Sequence, residues 1–204
     1  MSQTEIHHEH FDAEGSKIGM WIFLFTEMFL FGGLFLVYAV FRNKYSEDFH
    51  HAAYELNAFI GALNTVVLLV SSMTVAMSIT AVMKKQKKLA LLLLAITLLL
   101  AFTFMVNKYF EWSHKFEFKL FPGSEVMRNM PQGELLFFSL YYMMTGLHAL
   151  HVFVGMVLLS INFIKVRNGS VNEERISLLE NSGLYWHLVD LIWIFLFPLL
   201  YLIT

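Results

Sequence analysis

Five ionisable side chains stand inside strongly apolar sequence. Glu27 lies in WIFLFTEMFLFGGLF, His148 and His151 in YYMMTGLHALHVFVG, and His187 and Asp190 in ENSGLYWHLVDLIWIFLF. A spacing of three puts each of the last two pairs on one face of a helix. Carboxyl and imidazole groups in apolar surroundings can relay protons, ligate iron or zinc, or tie helices together by hydrogen bonds. A helical di-iron centre needs several carboxylates with Glu-x-x-His pairs on two helices. Beyond the N-terminal tail, the Glu-x-x-His matches are Glu47/His50 in a polar stretch and Glu111/His114 at the end of an apolar run. With 0 Cys, thiolate copper sites, iron–sulfur clusters and thiolate-bound haem are excluded. The expectation is no metal site and no catalytic residue of the chain's own, and a buried hydrogen-bond network that links the helices.

The elements that must position these groups are five apolar runs, about Ile18–Phe41, Leu56–Met83, Leu89–Trp112, Leu135–Val166 and Gly183–Ile203. Each is long enough to cross a bilayer, which takes roughly 20 mostly apolar residues. The composition points the same way: 57% hydrophobic, 21 Phe and only 15% charged. The fold class is therefore all-α, a polytopic membrane bundle of five transmembrane helices over residues 18–204. Residues 1–17 form a polar, His-rich cytoplasmic tail. A net charge of -2 gives no sign of nucleic-acid binding.

The tail holds His7, His8 and His10 with Glu5, Glu9 and Asp12. It reads as a solvated flank of the first helix, with a metal-binding tail as the other reading. It lacks a basic n-region and a small-residue cleavage site, so the first helix is expected to be retained. With the tail inside, the inner segments carry eight basic residues (Lys17, Lys84, Lys85, Lys87, Lys88, Lys165, Arg167, Arg175). The outer ones carry six (Arg42, Lys44, Lys108, Lys115, Lys119, Arg128). The bias places the N-terminus in the cytoplasm and the C-terminus outside. The KKQKK cluster sits in a short turn, so helices two and three are expected to pair tightly. The longest connection, 113–134, holds the helix breakers Pro122, Gly123, Pro131 and Gly133.

Glu27 lies ten residues from Lys17, roughly 15 Å along a helix and near the bilayer centre. A carboxyl there is protonated, paired or both. Two readings stand: a proton-linked or lipid-linked group, or a neutral acid that ties two helices. Gly32 and Gly33 would let another helix approach closely. The hydroxyls of helix two are read as packing groups. Glu111 and Lys108, three apart, can pair, while Tyr109 and Trp112 read as interfacial anchors.

Taken in order, these segments resemble subunit III of the haem–copper oxidases. FTEMFLFGGLF looks like the family helix with an intramembrane acid, and ALNTVVLLVSSMTVAMS like its Asn-Thr/Ser-Ser helix. TGLHALHVFVG matches the pattern Thr-Gly-x-His-x-x-His-Val, LYWHLVDLIWIFLF the pattern Trp-His-x-x-Asp-x-x-Trp, and NKYFEWSHKF the acid–aromatic helix end. The chain is similar to the short five-helix form, and to cytochrome c oxidase members more than to quinol oxidase members. Nitric oxide reductase-associated members share the fold.

The resemblance implies a subunit without a redox centre in the aerobic respiratory chain of a bacterial inner membrane. Haems and copper belong to its partners, oxidase subunits I and II. A larger respiratory supercomplex is a further implied setting. The family's subunit III packs on subunit I, holds phospholipid in a cleft, and sustains proton uptake and turnover stability. Glu27, His148 and His151 map near that cleft as lipid-binding or proton-linked residues. Glu111, His187 and Asp190 map onto polar helix contacts. A free-standing proton-linked transporter using Glu27 and Asp190 is the competing class; no internal repeat supports it.

Overall fold

The computed structural model describes residues 13–121, 123–169 and 176–203. Among them are seven helices and no strand: α1 (Ala13–Lys44), α2 (Ser46–Ala53), α3 (Ala58–Met83), α4 (Lys87–Glu117), α5 (Glu125–Arg128), α6 (Gln132–Asn168) and α7 (Ser177–Tyr201). Five of these, α1, α3, α4, α6 and α7, are long and apolar enough to cross a membrane. The chain is a multi-pass membrane protein. The His-rich segment at residues 5–12 lies outside the described residues, as do Pro122 and Arg175.

α1, α4 and α6 outrun the apolar stretches that identify them at both ends and α7 does so at its start, whereas α3 keeps within its own. An apolar run marks only the part inside hydrocarbon, and hydrogen bonding continues into the headgroup layer until a stop signal intervenes. For α6 that stop is Gly169, at φ 78, whose left-handed conformation glycine adopts without strain. Both α3 and α4 end with a lysine in the left-handed region, Lys85 (φ 59) and Lys119 (φ 56). The N–H of Gln86 reaches back to the Ala81 carbonyl, and that of Leu120 to Lys115. This is the Schellman pattern. The turn between α3 and α4 is short, and the two helices pack as the most extensive pair in the bundle.

The 113–134 connection is less irregular than its prolines and glycines suggest. α4 continues through Glu117, and α5 forms behind Ser124, whose hydroxyl accepts the Met127 N–H at 3.2 Å. A second short helix, α2, follows α1. Its Asp48 carboxylate accepts the Gly133 N–H at 3.0 Å, satisfying a free donor at the start of α6. His51 pairs with Glu134 at 2.9 Å on the same face.

α7 is the central element, packed on α3, α6 and α1, and its apolar window is 56% buried. α4 closes the bundle against α3 and α6. α1 leans on α6 and α7 through Leu24, Phe31 and Tyr38, and its window is only 11% buried. Trp21, Phe25, Phe29 and Leu36 are exposed. At the far end, Lys17 pairs with Glu180 at 2.8 Å and the Asn181 amide donates to Ser16 at 2.9 Å, which pins α1 to α7. Gly32 and Gly33 face outward with nothing within 4 Å of an added Cβ, so among the described residues no helix packs closely on them. Close approach occurs at Gly155, where a Cβ would meet the Trp186 ring at 2.6 Å.

Candidate functional site

Glu27 sits midway along α1. It is 14 residues from Ala13 and 17 from Lys44, or roughly 21 and 26 Å along the axis. Its Oε2 lies 2.9 Å from His151 Nε2 on α6. His151 Nδ1 is 2.7 Å from the Leu147 carbonyl, which can only accept, so Nδ1 carries a proton. Nε2 then meets Glu27 in one of two forms. A neutral imidazole accepts from a protonated carboxyl, or an imidazolium donates to a carboxylate. Both have zero net charge, so the pair tolerates its depth in the membrane. Phe31 packs edge-on to the His151 ring and Tyr185 lies parallel to it. The Tyr185 hydroxyl donates to the His151 carbonyl at 3.2 Å. The two side chains remain 11% and 15% exposed at the edge of the bundle.

His148 faces a different neighbour. Its ring packs between Phe104 of α4 and Trp193 of α7, at 5.6 and 5.1 Å. It is almost fully buried, and neither ring nitrogen has a hydrogen-bond partner. The two histidines of α6 therefore serve separate surroundings, although they stand three residues apart.

His187 and Asp190 meet α3. The Ser72 hydroxyl is 2.5 Å from His187 Nδ1 and lies near the Asp190 carboxyl. Asp190 keeps one buried oxygen, Oδ1, without a partner. Of the five intramembrane ionisable residues, only Glu27 and His151 bond one another. Four more polar links sew α3 to its neighbours: Trp186 to Ser71 at 3.1 Å, Trp193 to Thr65 at 3.0 Å, Thr74 to Thr97 at 2.8 Å and Asn107 to Asn64 at 2.8 Å.

Glu111 lies at the centre of a second polar cluster. It is buried within the bundle, because α4 carries it on the stripe Ala90, Leu94, Thr97, Ala101, Phe104, Lys108, Glu111, Lys115, every member of which is buried. Glu111 Oε1 accepts from Tyr141 at 2.5 Å and from Tyr201 at 2.6 Å, while Oε2 accepts from Lys108 at 3.1 Å. Lys108 also donates to the Tyr201 hydroxyl at 2.9 Å. Its ammonium lies over the Trp193, Tyr141 and Tyr201 rings at 5.0, 5.2 and 5.5 Å. Such cation–π contacts strengthen when water is excluded. The sequence reading paired Lys108 with Glu111 but missed both tyrosines and counted Lys108 and Lys115 as outer-segment charges. The signal was present on α4 itself, since 108, 111 and 115 continue the period of the apolar stripe.

Among the described residues, no group of three His, Asp or Glu side chains is placed to hold a metal ion.

A model of the family described as cytochrome c oxidase subunit III matches residues 2–204. Cytochrome c oxidase subunit 3 of Rhipicephalus sanguineus is 32% identical over 202 residues, covering 95% of this chain and 73% of that protein. The protein of the same name from Thermostichus vulcanus is 30% identical over 200 residues, covering 98% and 92%. Cytochrome bo(3) ubiquinol oxidase subunit 3 of Buchnera aphidicola subsp. Schizaphis graminum is 31% identical over 186 residues, covering 90% and 92%. This chain belongs to the cytochrome c oxidase subunit III family of the haem–copper oxidases.

Proposed function

We propose that the chain is the non-catalytic subunit III of a bacterial aa3/caa3-type cytochrome c oxidase. Family membership carries the coarser statement, a membrane subunit associated with other subunits of a haem–copper oxidase. The finer reading is ours. The chain packs on subunit I, in a complex that also holds subunit II, and binds phospholipid along the α1 face. It supports proton uptake and turnover stability, and leaves haems and copper to its partners. Glu27, His148 and His151 are the lipid-binding or proton-linked residues. Glu111, His187 and Asp190 hold the helices in register. The N-terminus is cytoplasmic and the C-terminus periplasmic. The charge argument supports this sense more strongly once Lys108 and Lys115 are taken as buried groups, since four outer basic residues then oppose eight inner ones.

The observation that carries the reading is the Glu27–His151 pair. It is an acid–base couple near mid-membrane on the least covered helix, open at the bundle edge to lipid or a partner subunit. A quinol oxidase subunit III is the second reading, favoured by the similarity to the Buchnera protein. Purification of the complex tests both. Copurification of a haem-containing large subunit supports the subunit assignment, and oxygen consumption with reduced cytochrome c against quinol decides the donor. Purification of the chain alone, with transport activity, would overturn both readings.

A further inference from the structure

Between the start of α3 and the end of α4 lies a cavity of about 570 Å³. Sites for small ligands typically span roughly 300–1,000 Å³. Its wall includes Glu55, Asn57, Asn107, Glu111, His114 and Lys115.

Lys115 is the unusual member, at 4% exposure. Its ammonium has three donors. One reaches the Glu55 carbonyl at 3.1 Å, and its other contacts are the ring faces of Tyr141 and Phe138 at 5.5 and 5.8 Å. The Glu111 carboxylate beside it is already engaged by Lys108 and two phenols. Among the described residues, Lys115 has no carboxylate within ion-pair distance. Asn57 uses its side-chain oxygen to cap α3, accepting from the N–H groups of Phe59 and Ile60, which leaves its amide NH2 able to donate. The Glu55 side chain, on an exposed residue, lines the same cavity. Besides the Glu111 carboxylate, whose oxygens are taken up by Lys108 and the two phenols, the wall thus offers a buried cation, a neutral donor and an accessible anion.

Depth identifies the environment. Lys115 is 26 residues beyond Leu89, roughly 39 Å along α4, whereas the hydrocarbon core is about 30 Å thick. The cavity therefore lies in the headgroup layer. Leu63 and Val66 of α3 and Leu99 and Phe102 of α4 continue from it into the core as exposed apolar side chains.

We propose that this cavity binds the headgroup of a zwitterionic, phosphoethanolamine-type phospholipid. The phosphodiester accepts from Lys115 Nζ and the Asn57 amide, and the head ammonium pairs with the Glu55 carboxylate. The acyl chains run over the exposed faces of α3 and α4. The site stands apart from the Glu27 face, because α1 packs on α6, α7 and α2. The proposal is independent of whether lipid binds at Glu27.

The intact complex tests this in nanodiscs of phosphatidylethanolamine and phosphatidylglycerol in equal parts, by native mass spectrometry of the lipids retained on release. Wild type should retain one phosphatidylethanolamine that Lys115→Gln loses. Glu55→Gln should retain a lipid there but lose the preference for phosphatidylethanolamine over phosphatidylglycerol. If Lys115→Gln sheds the subunit, the Glu55→Gln arm decides. The same retained lipids in wild type and Glu55→Gln would overturn the proposal, as would a wild type that favours phosphatidylglycerol. A parallel sample in detergent with added inorganic phosphate separates the sources. Retention of phosphate with no lipid difference would mean that the cavity serves the free anion.

Discussion

His151 donates one ring N–H to a backbone carbonyl and meets Glu27 with the other nitrogen, so the pair holds one shared proton and no net charge. Glu27→Gln keeps a donor for His151 but removes the group able to exchange that proton. We expect assembly to be intact and sustained oxygen consumption to fall, or loss of activity per turnover to rise. Unchanged traces in both assays would reduce Glu27 to a helix contact. Lys108 and Glu111 obey a different rule. Breaking a buried ion pair from one side costs about 3–5 kcal/mol, because the remaining charge is stranded. Lys108→Met should lower the thermal stability of the subunit in detergent, and adding Glu111→Gln should recover part of the loss. Equal stability of Lys108→Met and wild type would contradict the cluster described here.

At the level of elements, the five spans were legible because bilayer thickness demands a length of apolar sequence that little else explains. Their true ends were not, because helices run on into the interface. α4 shows the boundary of what periodicity reveals. The period joining Ala90 to Phe104 also selects Lys108, Glu111 and Lys115, so their burial was readable from α4 alone. Tyr141 and Tyr201 were not readable, since they come from α6 and α7 and only the packed bundle brings them to Glu111. The same holds for Glu27 and His151, which are 124 residues apart. Two outcomes follow for α7. Gly155→Leu should force the buried Trp186 ring off its seat and cost roughly 1–3 kcal/mol, read as a lower melting temperature of the subunit. His187→Leu removes a bond to Ser72, and Asp190→Leu removes a buried carboxyl beside that hydroxyl. Such bonds in lipid are worth about 0.6 kcal/mol on average and up to about 1.7. Each variant should weaken retention of the subunit on detergent purification and leave the initial rate of oxygen reduction near wild type. A fully retained variant with no oxygen reduction would assign these residues to catalysis.

For the whole molecule, many of the charged and hydrogen-bonding side chains of the bundle are spent on one another: Glu27 on His151, Glu111 on Lys108 and two tyrosines, His187 on Ser72. The outer face of α1 stays apolar and open. That build fits the supporting role proposed above. The central claim is that this chain sustains the oxidase without carrying out its redox chemistry. The direct measurement is a time course of oxygen consumption per haem by the purified complex, with this chain present and with it dissociated. The account predicts an initial rate close to that of the intact complex, followed by loss of activity within far fewer turnovers. Abolition of oxygen reduction from the first turnover, with the haem content of the partners unchanged, would contradict it.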